Sequence, residues 1–90
     1  MAIPTLDDYL SAGHQKAGNW TELARKLKVN QYAVRHWRQG KGYPCEKTMW
    51  RLARYVHMDE QTALLHLNYW KAKGRAKKLY QQMIEGRLGA

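Results

Sequence analysis

Residues 19–42, NWTELARKLKVNQYAVRHWRQGKG, decide the fold of this chain. They hold two short helical stretches, residues 20–27 and residues 31 to about 39, which are separated only by residues 28–30. Gly40 stands where the second stretch would end. Because two short helices joined by a three-residue turn must cross closely and at a steep angle, the segment predicts a helix–turn–helix.

Helical spacing predicts which side chains of this motif face inward. Ala24 is small where the first of the two helices meets the second, and Val29 closes the turn from below. The predicted motif core consists of Leu23, Ala24, Leu27, Val29, Val34 and Trp37. The same spacing turns polar side chains outward along the second helix, namely Gln31, Tyr32, Arg35 and either His36 or Arg38. A row of outward hydrogen-bonding groups is typical of a base-reading edge.

The chain before the motif predicts one further helix. We expect it to begin after Pro4, with Thr5 and Asp8 forming a capping box. Gly13 and Gly18 mark its weakening and its end. The motif helices have caps of their own in Asn19 and Asn30, each directly before a helical stretch.

Three more helices are expected after the motif. Pro44 opens one over about residues 45–57, where apolar residues recur at i, i+3, i+4 and i+7. Asp59 caps the next, and Gly74 separates it from a last helix over about residues 75–88. No alternating pattern typical of strands appears. The predicted fold class is therefore all-α, a compact bundle of five to six short helices.

Length and charge narrow the range of functions. The 90 residues suffice for one hydrophobic core. We divide the chain into a helix-turn-helix domain at 1–68 and a C-terminal helical extension at 69–90. Lys and Arg number 16 against 7 Asp and Glu, a formal charge of +9 that favours nucleic acid or an anionic membrane surface as partner. Between Arg25 and Arg54 the only acidic residue is Glu46, so most of the positive charge lies on and around the motif.

The sequence gives little support for a membrane-spanning, secreted, metal-binding or catalytic protein. No apolar stretch reaches the ~20 residues that cross a bilayer, and no secretory signal is visible, so we expect a soluble protein of the cytoplasm. Cys45 has no second cysteine to pair with and no zinc-ligand spacing around it. His14, His57 and His66 fall on separate predicted helices. We find no catalytic constellation and expect no enzyme, metal, cofactor or small-molecule ligand.

The motif resembles the helix-turn-helix proteins typified by lambda-type phage repressors and Cro. The matching positions, which span about the first two thirds of the chain, are Leu23-Ala24, Val29-Asn30, Ala33-Val34, Trp37 and Gly40-Lys41. The resemblance implies a lambda-repressor-like bundle of about five helices, a homodimer on a near-palindromic operator in double-stranded DNA, and repression of transcription. It also implies a phage, prophage or bacterial setting, in which the bound protein would be associated with the nucleoid.

By the same resemblance the helix that begins at Gln31 is the recognition helix. The implied base contacts are Gln31, Tyr32, Ala33, Arg35 and His36. Arginine donates two hydrogen bonds to guanine O6 and N7, glutamine pairs with adenine N6 and N7, and an alanine methyl touches the thymine methyl. The expected phosphate contacts are Thr21, Lys28, Arg38, Lys41 and Tyr43, together with the backbone amides at the start of the fourth helix.

Three features depart from the family pattern. Lys28 stands where the family usually has glycine, at a turn position that tends toward positive φ, so we expect a strain of ~1 kcal/mol. Trp20 stands where a glutamine often supports a phosphate contact. The tail beyond Asn68 has no firm counterpart, and we assign it to dimerisation. The residues expected there are Trp70, Leu79, Tyr80, Met83 and Ile84.

Two alternative functions remain open from the sequence. An antitoxin would use the helix-turn-helix for autoregulation and hold a toxin through its C-terminal part. A non-specific RNA-binding or membrane-surface protein would use its basic helices without reading duplex DNA. The basic segment 71–78 fits three roles in these readings: wrapping DNA, meeting an anionic membrane, or remaining solvated.

Overall fold

The computed structural model describes the backbone of residues 3–89 and the side chains of residues 3–86. Within this part the chain is all-helical, with no strand, which confirms the predicted all-α bundle. The six helices are α1 (Leu6–Ala17), α2 (Trp20–Leu27), α3 (Gln31–Arg38), α4 (Glu46–Tyr55), α5 (Glu60–Lys71) and α6 (Gly74–Gly89). None of these helices is long and apolar enough to cross a membrane.

The predicted starts of α1, α2, α3 and α5 are confirmed by their capping hydrogen bonds. Thr5 and Asp8 form a reciprocal capping box at α1, in which each side chain accepts from the other residue's backbone N–H. Asn19 accepts from the N–H of the third residue of α2, and Asn30 from that of the second residue of α3. Asp59 caps α5 in the same way. Each cap satisfies an N–H group that the first helical turn leaves without a partner.

Helices α2, α3 and α4 end with the same backbone geometry. In each, a residue with left-handed φ follows the helix, and the next N–H reaches back five residues to a carbonyl. The left-handed residues are Lys28 (φ 59°), Gly40 (φ 74°) and His57 (φ 60°). The prediction that α4 extends to His57 is wrong for this reason: the helix ends at Tyr55 and the chain turns at His57.

Gly13 does not weaken α1, contrary to expectation. It is buried inside the helix, and a Cβ at this position would lie 2.7 Å from Cδ1 of Leu23. The missing side chain therefore lets α2 pack directly against α1. The helix ends where predicted, at Gly18. Gly74 (φ 59°) is the first residue of α6, so the chain reverses over residues 72–74.

The core is formed by α1, α2, α4 and α5, with α3 packed against α1 and α2. Its fully buried side chains include Leu10, Leu23, Leu27, Met49, Leu52 and Leu67. Helix α6 packs mainly against α5 and buries Ile84. The division expected between residues 68 and 69 falls inside α5, so α6 continues the bundle.

Two residues that were assigned to a dimer contact are used within the chain itself. Ile84 is only 1% exposed. The indole N–H of Trp70 donates to the Pro4 carbonyl at 3.0 Å, and the Trp70 ring packs against the core. Leu79 and Met83 remain on the surface of α6, each more than half exposed. Tyr80, the fifth predicted residue, is half-buried, so Leu79 and Met83 are the most exposed of the predicted set.

Candidate nucleic-acid interface

The geometry of α2 and α3 is set by the side chains between them. Leu23, Ala24, Leu27 and Val34 are buried, while Val29 and Trp37 are half-buried and pack against the core. The turn is closed by hydrogen bonds from the Lys28 and Val29 amides to the carbonyl of Ala24. These contacts hold α3 at the surface of the bundle.

One edge of α3 faces away from the body of the protein. Its exposed residues are Gln31, Tyr32, Arg35 and His36, and we refer to them as the outer edge of α3. Tyr32 is 59% exposed, and Ala33, between the edge and the core, is half-buried. The side chains proposed to touch bases thus lie together on one surface that a ligand can reach.

Two contacts orient the outer edge before any ligand arrives. The Thr21 hydroxyl donates to Oε1 of Gln31 at 3.3 Å, which ties the start of α2 to the start of α3. The guanidinium of Arg35 lies 5.5 Å from the ring centroid of Tyr32. A side chain that is already restrained loses less conformational entropy when it binds.

Trp20, which departs from the family pattern, lies in a stack at the start of α2. The guanidinium of Arg38 lies 3.9 Å from the centroid of the Trp20 ring, which is within the range of a cation–π contact. The ring of His14 lies 4.2 Å from that of Trp20, centroid to centroid. The tryptophan therefore positions a basic residue of α3, a role that sequence reasoning missed because the two residues belong to different helices.

The residues expected to contact phosphate lie on α2, at the end of α3 and in the loops on either side of α3. Thr21, Lys28, Arg38, Lys41 and Tyr43 are all exposed. Tyr43 is placed by a stack on Trp70, with the ring centroids 6.5 Å apart and the planes 18° from parallel. It belongs to the loop between α3 and α4, so this loop is anchored to the end of α5.

The positive charge near α3 is not neutralised by acidic neighbours. Among the described side chains, ion pairs join Arg25 to Glu22 at 2.9 Å and Arg54 to Glu60 at 3.7 Å. Neither pair involves α3 or the loop after it, and the first turn of α3 contains no acidic residue. This surface attracts an anion without first having to break an internal salt bridge.

A different kind of polar contact lies inside the bundle. The Tyr9 hydroxyl is 2.6 Å from Nδ1 of His66, and Nε2 of His66 has no hydrogen-bond partner in the described part of the chain. Burial, with a smaller contribution from the charge of Asp59, raises the pKa of Tyr9 to about 12. Burial also lowers the pKa of His66. No sequence signal indicated this pair, because its members are 57 positions apart.

The described residues contain no group of histidine, cysteine and acidic side chains that could hold a metal ion. Cys45 is exposed at the start of α4, and hydrogen bonds with Thr48 lower the pKa of its thiol. Comparison with family models, with curated proteins and with solved structures finds no match to this chain. A function must therefore be inferred from the geometry and charge of its own residues.

Proposed function

We propose that this protein binds duplex DNA in a sequence-specific manner by inserting α3 into the major groove, and that it represses transcription. The observation that supports this most is the outer edge of α3: four adjacent polar side chains that are exposed and form no ion pair with the acidic side chains that the structure describes. The major groove admits an α-helix and presents each base pair as a distinct pattern of donors and acceptors. A short, exposed, basic helix held by a tight turn suits that groove.

The chemistry of the edge suits base reading. Arg35 donates two parallel hydrogen bonds to guanine, and Gln31 donates and accepts at the edge of adenine. Because the Thr21 hydroxyl engages only Oε1 of Gln31, the Nε2 group is not used in that contact. Each such pair discriminates against the wrong base by ~1–3 kcal/mol.

The residues around the edge suit the DNA backbone. Lys28 precedes α3, Arg38 ends it, and Lys41 follows in the next loop, so positive charge lies at both ends of the helix. Contacts of this kind fix the register of the protein on the duplex without reading sequence. They also make affinity fall steeply with salt.

The proposed repressor acts as a homodimer in the cytoplasm of a bacterial cell. Leu79 and Met83 are four residues apart on the surface of α6, so they share one face of the helix. A two-fold axis through this face would pair two copies, and a near-palindromic operator requires their recognition helices to lie ~34 Å apart. Blocking polymerase at such a site represses the promoter.

The test is selection of bound sites from random duplex DNA, followed by Arg35→Ala. We expect an inverted repeat, and we expect the variant to lose discrimination at one base pair of each half-site, by ~1–3 kcal/mol. Arg25→Ala is the matched control: Arg25 is exposed and bonded to Glu22, outside the proposed interface, so specificity should not change. Unchanged specificity in Arg35→Ala, or binding to hairpin RNA equal to that to the selected duplex, would contradict the proposal.

A further inference from the structure

A second basic surface lies on the bundle, formed by the ends of α1, α2 and α4. Five basic side chains line a groove of about 390 Å³: Lys16, Lys26, Lys28, Arg51 and Arg54. No acidic side chain lines it in the part of the chain that the structure describes. We call this surface the basic groove.

The basic groove is separate from the outer edge of α3. Trp20 and Thr21, at the start of α2, are the residues that contact Arg38 and Gln31 of α3. The groove takes its α2 residues from the opposite end of that helix, and eight residues at 1.5 Å each place the two ends about 12 Å apart. Lys28 belongs to both the groove and the expected phosphate contacts, so the two surfaces meet at that residue, while the other four basic side chains lie in the groove alone.

The groove remains positively charged after the negative groups next to it are counted. Lys16 donates to the Tyr55 carbonyl at 2.8 Å, and Arg51 to the Leu27 carbonyl at 3.5 Å, so both contact helix C-termini. Each of the three helix ends there carries about half a negative charge, and Glu60 pairs with Arg54. Together these offset roughly half of the five positive charges.

Two aromatic rings complete the lining. Trp50 is 38% exposed, its indole N–H donates to Glu60, and the Arg54 guanidinium lies 4.8 Å from its ring centroid. The ammonium group of Lys16 lies 4.6 Å from the ring centroid of Tyr55. Because a cation already covers a face of each ring, a nucleic-acid base would have to displace it in order to stack there. A carboxylate would instead bind the cation where it stands.

We propose that the basic groove binds an acidic segment of a partner protein, with carboxylates on the Lys and Arg side chains and an apolar side chain against Trp50. The volume lies in the range of ordinary ligand pockets and suits a few residues of peptide. A protein that holds DNA with one surface and an acidic segment with the other can recruit a second protein to its operator. The role of that partner rests on the proposed function, whereas peptide binding by the groove does not.

The test uses the full chain and a labelled synthetic peptide in which Glu and Leu alternate, with the Gln/Leu peptide as the uncharged comparison. Fluorescence anisotropy should show binding of the acidic peptide that weakens with salt. The double variant Lys26→Glu/Arg54→Gln should weaken it about tenfold, since two cations are lost and a negative charge is introduced. The control Lys71→Gln/Lys73→Glu changes the net charge equally outside the groove and should retain peptide affinity.

Binding to the selected DNA is measured on the same samples, with circular dichroism to confirm the helical content of both variants. We expect the groove variant and the control variant to bind DNA equally, because neither changes a residue of the proposed DNA surface. Equal peptide affinity in the two variants would overturn the groove proposal, as would tighter groove-dependent binding of oligothymidylate than of the peptide. Either result would leave the measurement of DNA binding intact, so the two proposals fail independently.

Discussion

Tyr9 and His66 form a polar pair in a core that is otherwise almost entirely apolar. His66 is 2% exposed, and a protonated imidazole at that position would carry a second N–H donor for which the described residues offer no acceptor. Its lowered pKa has this cause, namely the burial of the ring away from water. Burial therefore favours the neutral form of His66 in the folded protein.

The pair makes stability depend on pH in a definite direction. As pH falls below 6.5, His66 takes up a proton in the unfolded chain before it does so in the folded protein. Its contribution is thus fully present above pH 6.5 and is lost as pH falls toward the lower pKa of the folded state. Urea unfolding at several pH values should show the free energy of unfolding decreasing across this window.

His66→Gln is the variant for this measurement, because glutamine keeps a group that can bond Tyr9 and does not titrate. Its unfolding free energy should decline less steeply below pH 6.5 than that of the unchanged protein. His36→Gln, on the exposed edge of α3, is the control and should keep the original steepness. Equal pH profiles for all three proteins would show that His66 is not the group responsible.

The turn between α2 and α3 holds Lys28 in a strained backbone conformation. Lys28 ends α2 in the left-handed conformation, φ 59° and ψ 43°, as the departure from the family pattern predicted. The conformation is required because the amides of Lys28 and Val29 both reach the Ala24 carbonyl. A side chain with a Cβ has a steric cost here that glycine does not have.

Lys28→Gly should therefore raise the free energy of unfolding by ~1 kcal/mol, as measured by urea denaturation. The same substitution should weaken binding to the selected DNA and lower the dependence of log K on log salt by about one, because one phosphate contact is removed. Lys26→Gly, inside α2, is the matched control and should destabilise the protein by ~1 kcal/mol. A loss of stability in Lys28→Gly would mean that the turn needs lysine for a reason other than its conformation.

Short-range signals account for the success of helix prediction. The caps at Thr5, Asn19, Asn30 and Asp59 bond residues at most three positions later, so the sequence alone is enough to recognise them. Gly13 was misread for the opposite reason. A glycine inside a helical pattern predicts a weaker helix when only its sequence neighbours are considered. Its actual role depends on packing against Leu23, a residue of another helix.

At the scale of the whole molecule, the described part of α6 carries two exposed apolar side chains on one face of the helix. Leu79 and Met83 are 53% and 52% exposed, whereas Ile84 on the same helix is buried against the rest of the chain. In the proposed dimer these two side chains meet their equivalents in the second copy, because a two-fold interface is formed by the same patch on both partners.

Leu79→Gln/Met83→Gln should shift the proposed dimer toward monomer in sedimentation velocity, because polar amides replace the apolar contact. Met58→Gln, at another partly exposed methionine, is the control and should not change the distribution. Binding to a full inverted repeat should weaken in the α6 variant, while binding to an isolated half-site should be unaffected. A dimer that persists in the variant would place the contact elsewhere on the surface.

The all-helical class, the helix starts and the clustering of positive charge around α3 were determined by the sequence alone. They depend on spacing and capping among residues a few positions apart, and such interactions exist wherever the helix forms. The stack of Trp20 with Arg38, the buried pair of Tyr9 with His66 and the basic groove were decided only by tertiary structure. Each joins side chains from different helices, and their meeting depends on how the helices pack around the shared core.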